Sequence, residues 1–275
     1  SLPFGYDPAN DWLVRRQRGC MGHPNPCLHW YASALACLGL GLAAIGLSPL
    51  MPGQAHALRI FHLHANTLGF VGLTALGTLQ VLLPTVMGRP DPAAMIRLRH
   101  DLKWSVGGAL TIASGSAWDL WPLALAGAAA YVWPIIRLLT SAWRVFGGTL
   151  FGGDHAAPLL LTAAAGLFAA VGHGLGHGAG AIIGRESLPL FAVGFLLPLI
   201  SGAVTQLLPV WLWPGAQTQR HRAARMRLAF GARTRAAALL VGGPLAASGS
   251  LIGYGIGIAA ALWLLAAMAL TAFRR

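Results

Sequence analysis

The sequence predicts an all-α, polytopic membrane protein of about eight transmembrane helices, and three observations predict it. Of the 275 residues, 56% are hydrophobic and 9% charged. Soluble domains carry roughly 25% charged residues, so most of this surface must face something other than water. The apolar residues gather into runs close to the ~20 residues that cross a bilayer core. The basic residues, which give a net charge of +12, lie in short segments between those runs. Membrane topology places them there, which argues against nucleic acid as their partner.

The runs follow in order. Residues 1–27 are mixed and arginine-containing, with no apolar stretch to act as a cleaved signal peptide, and read as a cytoplasmic segment. Spans are expected at 28–48, 58–86, 103–118, 121–143, 157–181, 187–213, 235–252 and 254–273. The third is short and closes on a tight turn at Trp118 and Asp119. The last two are separated only by Gly253 and its neighbours, and a seven-span reading is the main competitor. Trp104, Trp118, Trp121, Trp133, Trp211 and Trp213 stand near run ends and read as interface anchors.

Charge sets the topology. With eight spans, the side holding the N-terminus receives seventeen Lys and Arg residues and the other side only Arg59 and Arg185. The positive-inside rule then puts both termini in the cytoplasm, here of a bacterial inner membrane. A repeat is also visible: Gly69-Phe70, Gly77 and Leu82-Leu83-Pro84 recur 125 residues later as Gly194-Phe195, Gly202 and Leu207-Leu208-Pro209. Each copy leads into a basic loop. The chain therefore divides into two four-helix units, 28–150 and 151–275, within one membrane domain. Four spans is an even number, so the units are parallel repeats.

Four of the ten histidines draw attention. His62 and His64 fall near the outer end of the second span, and His173 and His177 in the outer half of the fifth. With a ~1.5 Å rise per residue, all four are expected ~6 to ~12 Å inside that face. Ionisable side chains at such depth are costly and usually functional, and neutral imidazole is the commonest metal ligand. His173 and His177 share a helix face at i, i+4 and can meet one small ion, whereas His62 and His64 at i, i+2 point to different neighbours. Glycines 172, 174, 176, 178 and 180 strip bulk from the fifth span, leaving room for a large planar group or a close helix. The alternative is that the imidazoles bond across helices or line a watery path.

The stretch His62-Leu-His64, Gly69-Phe70, Gly77, Leu83-Pro84 and Gly88-Arg89 resembles one helix of haem–copper oxidase subunit I, and is similar to a pattern in the NnrS family of haem- and copper-containing membrane proteins linked to nitric oxide metabolism. The resemblance implies a haem of b type, with or without copper. It implies His62 as the ligand of a high-spin haem and His64 as the ligand of a low-spin one. With His173 and His177 these residues form the candidate cofactor- and metal-binding set, and His64 with His173 is the favoured axial pair. There is no adjacent His-His pair for a copper centre and no H-x-x-x-Y to supply a cross-linked tyrosine. Oxygen reduction by this chain alone is therefore not expected.

The resemblance implies a role in respiratory electron transfer or nitric oxide metabolism. Membrane lipid, other respiratory-complex subunits and a periplasmic redox partner are the expected partners, and nucleic acid is not. A transporter or channel with a histidine-lined path, and a cofactor-free structural subunit, are the other readings. Cys20, His23, Cys27 and His29 make a weaker metal candidate, matching no common zinc spacing. Gln80, Thr205 and Gln206 read as bridges between helices, and Arg220 to Arg235 as a topology determinant beside anionic headgroups.

Overall fold

The structure is a computed structural model and describes residues 26–153, 155–182 and 187–273. The chain is an all-α, multi-pass membrane protein. Its helices are α1 (Cys27–Leu47), α2 (Pro52–Met87), α3 (Ala94–Ala117), α4 (Trp121–Phe146), α5 (Ala157–Gly178), α6 (Ser187–Leu212), α7 (Gln219–Ala229), α8 (Ala232–Ala247) and α9 (Leu251–Phe273). Each of the eight apolar runs is a helix. Among the described residues six of them, α1, α2, α4, α5, α6 and α9, are long and apolar enough to cross a bilayer. The third run and the seventh differ from expectation. Helix α3 begins nine residues earlier than 103 and takes in Arg97, Arg99, His100, Asp101 and Lys103. Arg97 and Asp101, one turn apart, are buried at 4% and 0% exposure, so one face of this polar half is packed inward, while Arg99, His100 and Lys103 stay exposed. Helix α8 is only 16 residues long.

Three details correct the linear reading. The break between α8 and α9 is at 248–250, where Gly249 takes a φ of 77°, a left-handed conformation open to glycine at little cost. Gly253 lies inside α9, pressed on the backbone of Ala246. The Arg-rich stretch is itself a helix, α7, whose start is closed by a capping box between Thr218 and His221. The tight turn after α3 is present, with Asp119 at a φ of 54°.

By packing, the chain forms two compact units, 1–78 with 93–131 and 79–92 with 132–275. In the first, Trp30 and Tyr131 are fully buried. The Trp30 indole donates to the Leu98 carbonyl at 2.8 Å. In the second, Leu159 of α5 meets Ala232, Ala236 and Leu239 of α8 and Ala260 of α9. Burial in lipid brings little hydrophobic gain, because lipid tails are as apolar as leucine. Close van der Waals contact and hydrogen bonds of ~0.6 to 2 kcal/mol hold such helices together.

The repeat has a structural counterpart. Helix α2 widens into a π-helical segment at Ala65–Gly72, and α6 does so at Leu190–Leu196, the same place in each copy. In each unit a glycine of that segment meets the preceding helix. A Cβ on Gly69 would stand 2.7 Å from Cys37 Cβ, and one on Gly166 would stand 1.9 Å from the Gly194 carbonyl oxygen. Gly77 packs on Trp30 and Gly202 on Leu160 in the same way. The glycines that marked the repeat in the sequence are thus points of close helix contact, and Gly69, Gly77 and Gly202 have no room for a Cβ.

A π segment disturbs the regular pattern of backbone bonds, and such segments often mark functional positions. In α2 the Tyr131 hydroxyl donates to the Leu68 carbonyl at 2.9 Å. It also sits 2.0 Å from where a Gly72 Cβ would be. Gly72→Ala is expected to cost roughly 2–3 kcal/mol by overpacking, and Tyr131→Phe about 1 kcal/mol by orphaning a carbonyl. The double variant should be more stable than the sum predicts, because the ring carbon beneath the hydroxyl is 3.4 Å away. Unfolding in a denaturing-detergent titration measures this coupling, and strictly additive losses would contradict it.

Candidate functional site

In the first unit, His62 and His64 occupy the last turn of the regular part of α2, just before the π segment. This helix starts earlier than expected. Counted from Ala55, His62 lies ~10 Å along it and His64 ~14 Å. The His62 ring leans on α1, with Nδ1 2.9 Å from the Gly41 carbonyl oxygen. Asn66, one turn on, places its amide 3.0 Å from Nδ1 and 3.3 Å from Nε2 of the same ring. Gly41 makes this possible, since a Cβ there would come within 3.0 Å of the Asn66 amide. Asn66 Oδ1 is buried and has no hydrogen-bond partner among the described residues. The His64 ring turns the other way, its Nδ1 3.0 Å from the Ile60 carbonyl of its own helix. The two rings thus go to different neighbours, as the i, i+2 spacing requires.

In the second unit, α5 ends at Gly178, earlier than expected. His173 lies ~8 Å and His177 ~2 Å from that end. The four candidates are therefore not at matched distances from their helix ends, which corrects the even depth read from the run boundaries. His173 is half-buried, its Nδ1 3.0 Å from Ser187 Oγ at the start of α6. It lines a cavity of about 480 Å³ with Ala169, Gly172, Ile182, Leu190 and Pro244. His177 is exposed, its Nδ1 2.8 Å from the Ile182 carbonyl, and it does not line that cavity. A Cβ on Gly172 or Gly174 would meet nothing within 4 Å, so these glycines leave open space and do not seat a neighbouring helix.

Chemically, a backbone carbonyl only accepts. Nδ1 of His64 and of His177 must therefore carry the proton, which makes Nε2 the lone-pair nitrogen. A carbonyl that accepts from Nδ1 in this way orients the histidine ligands of metals. Ser187 can donate to His173 or accept from it, and His62 is shared between a carbonyl and an amide, so their tautomers stay open to a ligand. Among the described residues no three His, Cys, Asp or Glu side chains converge. A bare ion usually takes three or four protein ligands. A haem brings four nitrogens of its own and asks the protein for one or two.

The other sequence candidates separate. Cys20 and His23 lie outside the described residues. Cys27 is buried and its thiol donates to the Gly77 carbonyl at 3.3 Å, while His29 is exposed two residues on. Thr205 donates to the Gly202 carbonyl of its own helix, so this hydroxyl does not bridge helices as expected. His56 and His100 are exposed.

Asn66, Gly41 and Tyr131 were not singled out from the sequence. Asn66 carried a signal, a polar residue on the same helix face as His62 at i+4. His221, within the Arg-rich stretch, is only 2% exposed. Its Nδ1 is 3.1 Å from the Thr218 backbone N–H and 2.9 Å from the Thr218 hydroxyl, and its Nε2 is 2.8 Å from the Trp213 carbonyl. The first contact makes Nδ1 an acceptor and Nε2 the donor. His221→Ala should therefore cost about 1–3 kcal/mol, by removing a buried ring and its hydrogen bonds to Thr218 and Trp213. His100→Ala should fall within ±0.5 kcal/mol. Thermal unfolding of the two variants in detergent checks the contrast, and equal midpoints would contradict it.

No protein-family model, curated protein or solved structure matches the chain.

Proposed function

We propose that this chain is a haem-binding integral membrane protein that carries electrons in respiration or nitric oxide metabolism, with its axial nitrogens drawn from His62, His64, His173 and His177. The observation that carries the reading is the anchoring of the His64, His173 and His177 rings at Nδ1, 2.8–3.0 Å from an oxygen. A ring held there presents Nε2 in a set direction, which a ligand nitrogen needs and a solvated histidine does not. The donor set favours haem over a bare copper ion, because no third ligating group joins these histidines among the described residues. When bound, a haem supplies the one-electron centre. The chain's own residues hold the imidazoles, exclude water with apolar neighbours, and leave open space beside Gly172 and Gly174. The test is the cofactor content of the purified chain, extractable haem and bound copper per polypeptide. A near-stoichiometric haem supports the reading, and neither cofactor after expression with ample haem and copper contradicts it.

The protein is proposed to reside in a bacterial inner membrane with both termini cytoplasmic, on the strength of the seventeen-to-two charge split. Reporter fusions after Arg275 and in the segment near Arg185 are expected on opposite sides. Same-side reporters would end the eight-span arrangement.

A further inference from the structure

We propose that the second unit carries a binding site for an anionic phospholipid, in the groove between α7 and the end of α9. The groove has a volume of about 470 Å³ and is lined by Met226, Arg227, Phe230, Trp263, Ala266 and Leu270, among others. Arg227 is the one charged residue of the lining, set among apolar side chains from both helices. On α9, Trp263 and Leu270 are exposed at 43% and 58% on a helix of membrane-crossing length, so this wall opens onto lipid. Ala266 between them keeps a slot free. Phe230 stacks on Trp263 with ring centroids 6.0 Å apart, closing the groove on one side.

Charge names the headgroup. The segment 213–235 carries six arginines, and Glu186 is the only acidic residue of 155–273. Carboxylates are therefore scarce in the sequence around these guanidinium groups, several of which rest on neutral partners. Arg220 lies over the Trp213 ring at 4.2 Å. Arg225 donates to the Gln217 side-chain carbonyl, and Arg235 to the Leu228 carbonyl at 2.7 Å. Arg227, on the groove wall, has its Nε buried with no hydrogen-bond partner among the described residues. A guanidinium is built to bond phosphate oxygens, and buried cations are costly unless matched by an anion. Basic pockets beside membrane helices on the cytoplasmic side take anionic headgroups, at about 1 kcal/mol per arginine. A phosphate at Arg227 with an acyl chain lying along Ala266 and Trp263 satisfies both walls at once. A free phosphate ion would leave the apolar wall unused, and a zwitterionic lipid would leave the extra positive charge unmatched.

The test uses the full chain reconstituted in phosphatidylcholine vesicles doped with phosphatidylglycerol brominated in its acyl chains. Bromine quenches tryptophan on contact, and subtracting the signal of Trp263→Phe isolates Trp263. Quenching of Trp263 is expected to saturate at low mole fraction of brominated phosphatidylglycerol. Brominated phosphatidylcholine should quench only in proportion to its abundance. Arg227→Gln should weaken the saturable component about fivefold, the equivalent of 1 kcal/mol. Ala266→Phe, which leaves every charge in place and fills the slot, should abolish it. Arg233→Gln, which removes a charge from the same segment outside the groove, should leave it nearly unchanged. The proposal is overturned if both lipids quench alike, if Arg227→Gln and Arg233→Gln behave alike, or if inorganic phosphate competes the signal away. The last result would make this a site for free phosphate.

Discussion

Gly166→Ala is expected to prevent the second unit from packing, with a loss of about 3 kcal/mol or more. The added Cβ would sit 1.9 Å from the Gly194 carbonyl oxygen and 2.4 Å from its carbon. Both are backbone atoms of the π segment of α6, so no side-chain rotation relieves the clash, and overpacking that moves backbone lies at the upper end of the usual range. The same segment has no slack behind it, since a Cβ on Gly243 of α8 would come 2.8 Å from Gly194 Cα. A control sits in the same helix. Gly172→Ala and Gly174→Ala meet nothing within 4 Å, and alanine is the better helix former by about 1 kcal/mol. These two variants should be neutral or slightly stabilising. Folded yield in detergent and the unfolding midpoint separate the cases. If Gly166→Ala unfolds at the wild-type midpoint, α5 and α6 do not approach as described.

The second large effect concerns the cofactor. His64→Ala and His173→Ala are each expected to remove a strong bond to iron, turning a low-spin spectrum into a high-spin one or losing the haem. Ser187→Ala leaves the imidazole of His173 in place and takes away its Nδ1 anchor at 3.0 Å. Loss of such a supporting contact weakens a bound metal group about 10- to 100-fold. In the proposed haem site Ser187 would be a positioning residue. Its variant should keep the low-spin spectrum when saturated and lose haem more readily on dilution, a pattern that simple unfolding does not give. His100→Ala should leave the spectrum unchanged.

Much of this fold could be read in the sequence, for a physical reason. Apolar runs of bilayer length and basic loops are composition signals, and all eight runs are helices. The offset of 125 residues between Gly69 and Gly194 pointed to equivalent contacts, because a helix that must approach another closely needs glycine at the crossing. What stayed hidden depends on partners distant in the chain. Tyr131 reaches Leu68 across 63 residues, and His62 reaches Gly41 across 21, and no local pattern encodes either pairing. The polar start of α3 looked like loop because Arg97 and Asp101 are charged, and only tertiary burial makes them interior. Helix α7 is hard to read because its 11 residues hold four arginines, and because its cap pairs Thr218 with His221, where the usual signature has Glu or Gln. The histidines themselves were legible. Their depth was not, because helix ends within apolar sequence carry weak signals: α2 starts earlier and α5 stops sooner than hydropathy suggests.

The most direct test of the haem assignment is one reduced-minus-oxidised visible spectrum of the purified full chain, expressed with ample haem. The expected result is the sharp bands of a low-spin haem of b type, at close to integral stoichiometry, with the intensity lost in His64→Ala and His173→Ala. A chain that purifies folded and monodisperse with no haem absorption would contradict it, and so would a full low-spin spectrum in both variants.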